Sequence, residues 1–295
     1  MKKYLHRTVA FLWYVFRTSL LVGISFILLF PILYMLSITF RPVSEVADPS
    51  IIWIPRTFTL ENLKMVFDFM KYLNALGNTL SIGIVSSLME IVTCAFVGYG
   101  FARFKFRERN LLFAMVVFTI LVPPQTLAIP SYLQFKDFFG LNLLDTGWVF
   151  YLPSILGVGL KSGLFIFIFR QFFRGMSREL EDAAYIDGCG TLRTFLSVIV
   201  PNASGALLTV FLFSVVWHWN DYYNAAMYLT NTRTLAIALA SLRQDLQTLS
   251  IQGDPYQLVT RLQTGSLLVV SPLLFMYMLL QRYFTESIER TGIVG

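Results

Sequence analysis

Residues 177–201 read SRELEDAAYIDGCGTLRTFLSVIVP, a charged stretch that separates two long hydrophobic runs. Most connectors between helices need only a few residues, so a stretch of this length predicts structure of its own. Ser177 is placed to cap a helix whose first turns carry Glu179, Glu181 and Asp182. Carboxylates near a helix N-terminus stabilise the helix dipole, so these residues predict a helix at the start of the stretch.

Small residues divide this stretch in two. Ala183 and Ala184 give the predicted helix a flat surface that permits close approach. Gly188, followed by a second glycine two residues later, predicts a break in the helix. Thr191 is expected to begin a second helix, and Pro201 marks the next boundary. The stretch therefore predicts a pair of short helices between two hydrophobic spans.

Composition places the whole chain in a membrane. Of its residues 56% are hydrophobic and 14% are charged, with a mean hydropathy of +0.65. Soluble domains are nearer 45–50% apolar and about 25% charged. The net charge of +6 indicates basic cytoplasmic loops rather than nucleic-acid binding. Cys94 and Cys189 are expected at different levels, which argues against a disulfide framework, and the two histidines are too far apart to predict a metal cluster.

Apolar runs of spanning length predict an all-α membrane protein with six transmembrane helices. The six runs lie at about 18–40, 75–101, 111–129, 148–169, 203–223 and 262–280. Six spans would bring the basic clusters to one side of the membrane, which the positive-inside rule identifies as the cytoplasm. These clusters lie at 2–7, 103–109, 170–178 and 282–290.

This arrangement predicts three parts of the chain. They are a cytoplasmic N-terminal segment (1–17), a six-span domain (18–284) that contains the loop at 177–201, and a cytoplasmic tail (285–295). Both termini are then cytoplasmic. A short external helix is also expected near TLENLKMVF (59–67).

Catalytic motifs are missing from the sequence. The nearest approach to a phosphate-binding loop, Gly157-Val-Gly-Leu-Lys161-Ser, has Leu160 where a glycine is required. Neither a Ser-His-Asp arrangement nor HExxH occurs. We therefore expect no enzyme activity, no catalytic residue, no cofactor and no metal in this chain, and any energy from ATP must come from a partner.

The loop at 177–201 resembles the EAA loop of ABC-importer permeases. That loop reads E-A-A, three residues, G, nine residues, I, one residue, L-P. The matching positions here are Asp182–Ala184, Gly188, Val198, Val200 and Pro201. The spacing agrees throughout, with aspartate for glutamate and valine for isoleucine and for leucine.

Other segments extend the likeness to carbohydrate-uptake permeases of the maltose-transporter type, in the six-span subunit. They are Asn78–Leu80, Gly98–Phe106, Val122–Gln125, Trp219–Asp221, Arg233–Leu235, Gln281–Phe284 and Gly292–Gly295. The resemblance implies a type I importer bundle with a cytoplasmic coupling helix, in a bacterial or archaeal cell (inner) membrane. It implies a heterodimer with a related permease, two cytoplasmic ATPases that bind ATP and Mg, and an extracellular or lipid-anchored solute-binding protein that delivers a sugar or oligosaccharide.

The resemblance also implies which residues meet the ATPase. They are Glu181, Asp182, Ala183, Ala184, Asp187, Gly188 and Pro201. Glu181 is expected to share the acidic role of Asp182. The tail at 286–295 resembles the family's tail that reaches the ATPase dimer, although a frayed terminus is the alternative.

An aromatic and amide run at the end of the fifth span is the candidate substrate pathway. It comprises Trp217, Trp219, Asn220, Asp221, Tyr222, Tyr223 and Asn224. Aromatic faces and amides suit sugar rings and hydroxyls, but Trp and Tyr also collect at membrane interfaces in any membrane protein.

Two charges lie inside predicted spans, Glu90 and Lys161. Ionisable groups in lipid are costly and need partners, so the two could pair, line the pathway or contact the second permease. A proton relay is the rival interpretation and would make the chain an ion-coupled secondary carrier. An importer of a polyamine, phosphate or another solute with the same architecture is a further alternative.

Overall fold

The chain is built of helices. The computed structural model describes residues 2–48, 50–51, 53–248 and 255–292, and no β-strand occurs among these residues. The helices are α1 (Lys2–Thr39), α2 (Val43–Val46), α3 (Glu61–Phe69), α4 (Tyr72–Arg103), α5 (Arg109–Leu121), α6 (Ala128–Lys136), α7 (Trp148–Ile155), α8 (Ser162–Gly175), α9 (Glu179–Ile186), α10 (Thr191–Thr194), α11 (Val200–Asn202), α12 (Ser204–Trp219), α13 (Tyr222–Tyr228), α14 (Leu235–Thr248) and α15 (Pro255–Gly292). A 3₁₀ helix at Pro124–Leu127 precedes α6, and a π-helix at Phe195–Ile199 joins α10 to α11.

Three continuous helical segments within these residues are long and apolar enough to cross a membrane. They are Ala10–Thr39, Tyr72–Arg103 and Pro255–Arg282. Two bent pairs raise the number to five, if each pair is one span: Arg109–Leu121 with Pro124–Lys136 is bent by 98°, and Thr191–Asn202 with Ser204–Trp219 by 78°. The first bend lies within the third predicted span, whereas the second lies at residue 203, where the fifth predicted span begins. Prolines at 123 and 124 explain the first bend, since proline cannot continue the backbone ladder of a helix.

The fourth predicted span differs most from expectation. It consists of α7 and α8, with 8 and 14 residues, and each is shorter than the roughly 20 residues that cross a bilayer. Helix α7 ends where Gly157 adopts a φ of +71°. The Val158 amide donates to the Pro153 carbonyl and the Gly157 amide to the Ser154 carbonyl, the hydrogen bonds of a Schellman motif. Residues 156–161 thus break a hydrophobic run that looks continuous in sequence.

The first helix also differs from expectation. The sequence predicts a first span that starts near residue 18, after a separate N-terminal segment, whereas the helical backbone of α1 begins at Lys2. The last helix is longer than the predicted 262–280, since its backbone continues to Gly292.

The chain forms two compact units, Met1–Met70 with Ser241–Ser271 and Lys71–Ala240 with Pro272–Gly295. In the first unit, buried Arg41 donates to the Ile51 carbonyl at 3.0 Å, and the Asn62 side chain donates to the Arg41 carbonyl at 2.9 Å. These bonds fasten the start of α3 to the end of α1. The short helix expected near 59–67 is α3, although its N-cap is Leu60 and not Thr59.

Aromatic packing forms the core of the second unit. Phe165, Phe169 and Phe173 lie one turn apart on α8, and each is completely buried. They form one cluster with residues of α4 and α12, including Cys94 and Val210. Spacing of four residues places these rings on one face of α8, so their burial fixes that face against α4.

Helices α4 and α8 lie close together at Gly98. A Cβ atom added there would lie 2.6 Å from the Phe169 Cβ and 3.1 Å from the Arg170 nitrogen. A glycine at this crossing therefore lets the two backbones touch.

Candidate functional site

The predicted pair of helices at 177–201 is present. Helix α9 carries three acidic residues in its first turn, and the Ser177 hydroxyl accepts a hydrogen bond from the Glu179 amide at 3.2 Å. The N-cap position itself is Arg178, one residue later than expected. Helix α10 begins at Thr191, as predicted.

Gly188 ends α9 with a Schellman motif. Its φ is +77°, its amide donates to the Tyr185 carbonyl at 3.0 Å, and the Cys189 amide donates to the Ala184 carbonyl at 2.9 Å. A Cβ added at Gly188 would meet nothing within 4 Å. Within this chain, the requirement for glycine is therefore conformational, because a side chain at positive φ is strained even in open space.

Glu181 and Asp182 lie in different surroundings. The Glu181 Oε1 lies 2.8 Å from the Arg103 Nε at the end of α4, and the two side chains are 9% and 6% exposed. That contact is an ion pair and not an aligned hydrogen bond. Asp182 is exposed. In this geometry the Glu181 carboxylate is engaged inside the subunit, whereas the Asp182 side chain is open to a partner.

Helix α9 thus has an attached face and a free face. Glu181 and Ala184, three residues apart, are buried. Asp182, Ala183 and Ile186 are exposed, Ile186 to 86%. We call this exposed face, together with Asp187 and Gly188, the loop tip. Ile186 was missed from the sequence, where an isoleucine between Tyr185 and Asp187 has no local sign of exposure.

Pro201 lies in the first turn of α11, directly after the π-helix at Phe195–Ile199. A π-bulge accommodates a residue that cannot donate to the preceding turn, so the wider coil at 195–199 is a physical consequence of this proline. Pro201 is exposed and stands ten residues beyond the first residue of α10.

The candidate substrate-pathway residues separate into structural and accessible ones. Trp219 is 3% exposed, and the Asp221 carboxylate caps α13 by accepting from the Asn224 amide at 3.1 Å. The Asn224 side chain also donates to this carboxylate, at 2.9 Å. Three residues of the run remain exposed: Asn220, Tyr222 and Tyr223. Trp217 is half-buried.

Glu90 joins three helices. It is completely buried on α4. Its Oε1 accepts from the Ser162 hydroxyl of α8 at 2.9 Å, and its Oε2 accepts from the Ser214 hydroxyl of α12 at 2.6 Å. A Cβ at Gly159 would lie 2.6 Å from Oε1, so that glycine gives the carboxylate its room. The cluster links the broken fourth span to α4 and α12 through hydroxyls rather than through other acids.

Lys161 lies in the break between α7 and α8, outside either helix. Its φ is +67°, its side chain is exposed, and its Nζ lies 5.0 Å from the centroid of the Trp217 ring. Throughout the described ranges, the ion pairs do not include one between Lys161 and Glu90. The two charges predicted inside spans therefore lie near the same break with different partners.

The geometry of the loop and of the helices agrees with what comparison finds. Residues 91–290 match the family described as "Binding-protein-dependent transport system inner membrane component", which is more than half of the chain. The chain belongs to this family. The arabinooligosaccharides transport system permease protein AraQ of Halalkalibacterium halodurans is 30% identical to it over 277 residues, with 92% of this chain and 93% of AraQ covered. Protein LplC of Bacillus subtilis is 29% identical over 282 residues, with 92% of each chain covered.

A solved structure shares the fold. It is the crystal structure of a bacterial ABC transporter involved in the import of the acidic polysaccharide alginate. The TM-score is 0.73 at 20% identity, with 92% of this chain and 96% of the other covered. This likeness confirms the predicted all-α permease fold. Membership of the family confirms an inner-membrane component of a transport system.

Sequence motifs do not reveal three of the contacts described above, that of Glu181 with Arg103 and those of Glu90 with Ser162 and Ser214. Arg103 begins a basic stretch typical of any cytoplasmic loop, and nothing in the sequence marks it as the partner of Glu181. Ser162 and Ser214 look like ordinary small polar residues in apolar helices.

The predicted tail at 286–295 has helical backbone to Gly292, and its last three residues lie outside the described part of the chain.

Proposed function

We propose that this chain is the transmembrane permease subunit of an ATP-driven importer, and that it forms half of the pathway for a sugar or oligosaccharide. Membership of a binding-protein-dependent transport family supports the importer. The name of AraQ, an arabinooligosaccharide permease at 30% identity, supports a saccharide over a polyamine or phosphate.

The observation that carries the proposal is the division of α9 into two faces. Glu181 and Ala184 hold the helix to the subunit, while the loop tip is presented outward. A small, rigid surface with Ile186 at its centre suits a cleft on a partner protein, because burying one large aliphatic side chain stabilises a complex by about 1.5–3 kcal/mol. We propose that this partner is the ATPase.

The assembly follows from this role. A related second permease completes the pathway, two cytoplasmic ATPase subunits bind ATP and Mg, and a solute-binding protein delivers the cargo from outside. The loop tip must then face the cytoplasm, and so must both termini, given the basic clusters at 2–7 and 282–290. The tail at 286–295 would extend toward the same ATPase dimer.

Rigid-body motion gives the mechanism. Closure of the ATPase dimer pulls the loop tip, and the ion pair between Glu181 and Arg103 passes that displacement directly to α4. This connection requires no chemistry from the permease itself, which is consistent with a transport component that lacks a nucleotide-binding motif.

The test is reconstitution of the complete transporter in proteoliposomes, with uptake of labelled neutral and acidic trisaccharides, spermidine and phosphate measured in parallel. We expect uptake of a saccharide only, dependent on ATP hydrolysis and unchanged by an uncoupler at fixed ATP. Uptake that an uncoupler abolishes would make the chain an ion-coupled carrier. Uptake of spermidine or phosphate, but no saccharide in a wider panel, would contradict the proposed cargo.

A matched pair of variants tests the coupling surface. Ile186→Arg should reduce the ATPase that co-purifies with this subunit, because it places a charge in the proposed cleft. The control is Ile54→Arg, at an isoleucine that is also exposed (77%) and lies outside the loop and outside the candidate spans. Equal retention of the ATPase by both variants would argue against the loop tip as the docking surface.

A further inference from the structure

Lys161 lies close to the midpoint of α4 along its length. Glu90 lies about 27 Å from the start of α4 and about 20 Å from its end, at 1.5 Å per residue. The Ser162 hydroxyl, which begins α8, is 2.9 Å from Glu90. Lys161 precedes that serine, so its backbone lies level with the middle of a helix long enough to cross a membrane.

A charged side chain at this depth in a membrane raises the free energy unless water or a polar partner solvates it. Lys161 is the sole charged residue in 148–169. Its side chain is exposed on the second unit, and an ammonium group facing acyl chains at this depth is strongly unfavourable. The head group must therefore face water or protein in the assembled transporter.

Glu90 does not neutralise this lysine by direct contact. The Glu90 carboxylate is completely buried, and each of its oxygens accepts from a serine hydroxyl, on Ser162 and on Ser214. The ion pairs found within the described ranges leave Lys161 and Glu90 apart. The positive charge of Lys161 is thus exposed, whereas the Glu90 carboxylate is buried.

An aromatic surface lies beside the ammonium. The Lys161 Nζ is 5.0 Å from the centroid of the Trp217 ring, which in turn stacks on Phe165 with ring centroids 6.0 Å apart. Trp217 is half-buried, so part of the indole stays accessible. Packing against Phe165 fixes the orientation of the indole. The cation–π attraction between the ammonium and the indole ring holds the Lys161 side chain in place.

Breaks in membrane helices commonly mark binding sites in transporters, because irregular backbone at that depth is tolerated where it lines a cavity. We propose that Lys161 and Trp217 form a subsite in the translocation pathway for a sugar residue that carries a carboxylate. The ammonium binds the carboxylate and the indole covers the apolar face of the sugar ring. The cargo is then an acidic oligosaccharide, a substrate class that rests on the proposed function and narrows it.

The test compares two trisaccharides that differ in their carboxylates alone. Labelled α-1,4-trigalacturonate and α-1,4-galactotriose are offered to proteoliposomes that hold the complete transporter with its binding protein. We expect the wild type to import trigalacturonate. Lys161→Met should reduce the Vmax/KM for trigalacturonate about tenfold to hundredfold, the loss typical of a hydrogen bond to a charged group.

Control variants separate the effect of losing the positive charge from the effect of misfolding. Lys161→Arg keeps the charge and should retain most of the trigalacturonate uptake. Lys136→Met, at an exposed lysine of α6, should behave like the wild type. All variants should co-purify the second permease and the ATPase in wild-type amounts.

The outcomes are distinct. No ATP-dependent uptake of any saccharide by the wild type contradicts the proposed function itself. ATP-dependent uptake of galactotriose but not trigalacturonate leaves that function standing and overturns the acidic subsite. The subsite is also overturned if Lys161→Met imports trigalacturonate normally, or if Lys161→Met loses the second permease, which would make Lys161 an interface residue.

Discussion

The ion pair between Arg103 and Glu181 should be what holds the coupling loop to the membrane helices. The Arg103 Nε and the Glu181 Oε1 are 2.8 Å apart, and the side chains of Arg103 and Glu181 are 6% and 9% exposed. Arg103 also donates from Nη2 to the Met176 carbonyl at 2.9 Å, directly before the loop. Replacing Arg103 by Met or Glu181 by Leu leaves one buried charge without its partner.

The size of the effect follows from this burial. Removing one member of a buried ion pair costs about 3–5 kcal/mol, chiefly because the other charge stays desolvated. Solvent screening is small at exposures below 10%. A loss of about 3 kcal/mol lowers the ratio of attached to detached loop by about 150-fold, so ATPase stimulation by substrate should fall sharply. The double variant removes both charges and should cost less than the sum of the singles by about 1–3 kcal/mol.

The assay is a double-mutant cycle on the free energy of unfolding, measured by reversible denaturation in mixed micelles. Asp182→Leu is the matched control, because Asp182 is the exposed acidic neighbour on the same helix. We expect the control to change the free energy of unfolding by less than about 0.5 kcal/mol. If Arg103→Met and Glu181→Leu behave like the control, or if their costs are additive, the pair does not hold the loop.

Three further predictions test other features. Gly188→Val should retain less ATPase on co-purification, since a side chain at φ +77° costs about 1–2 kcal/mol, and Gly188→Asn should be milder. Gly98→Ala should lower the melting temperature, because its Cβ would lie 2.6 Å from a side-chain carbon of α8, whereas Gly77→Ala, with nothing within 4 Å, should not. Burial opposes ionisation of Asp145, but donors at 231–232 outweigh it and lower the pKa of Asp145 below its ordinary 3.8. The link from Asp145 to the Thr232 amide should therefore contribute fully above pH 3.8 and be lost as the pH falls through the lower folded pKa, measured as hydrogen-exchange protection of that amide.

The coupling loop was predictable because its signals are local. Acidic residues, a glycine and a proline act on the backbone within a few residues, and they predicted α9, the turn at Gly188 and the start of α10. The direction that each acidic residue faces was not predictable. It depends on the rotation of α9 against Arg103, a residue 78 positions before Glu181, for which the sequence has no local sign.

The break in the fourth predicted span, in contrast, was not predictable from local signals in the sequence. Hydropathy averages over many residues, so WVFYLPSILGVGLKSGLFIFIF reads as one apolar run. The signals that decide the structure are Gly157 and Gly159, and glycines are also common in continuous membrane helices. The partners of Glu90 lie 72 and 124 residues away, and only the packed structure brings them together.

The same contacts explain how a pull on the loop could reach a site inside the membrane. Helix α8 is fastened to α4 near its beginning, where Ser162 donates to Glu90, and just after its end, where the Met176 carbonyl accepts from Arg103. Between these two bonds, Gly98 brings the backbones into contact and three buried phenylalanines fill the interface. Sliding α8 along α4 would break both of these bonds and the packing between them. Because protein interiors are close-packed and transmit strain, the two helices respond to a displacement by moving together. A displacement of α9, transmitted by Glu181 to Arg103, must therefore move α4 and α8 together, and the break that holds the proposed subsite moves with them.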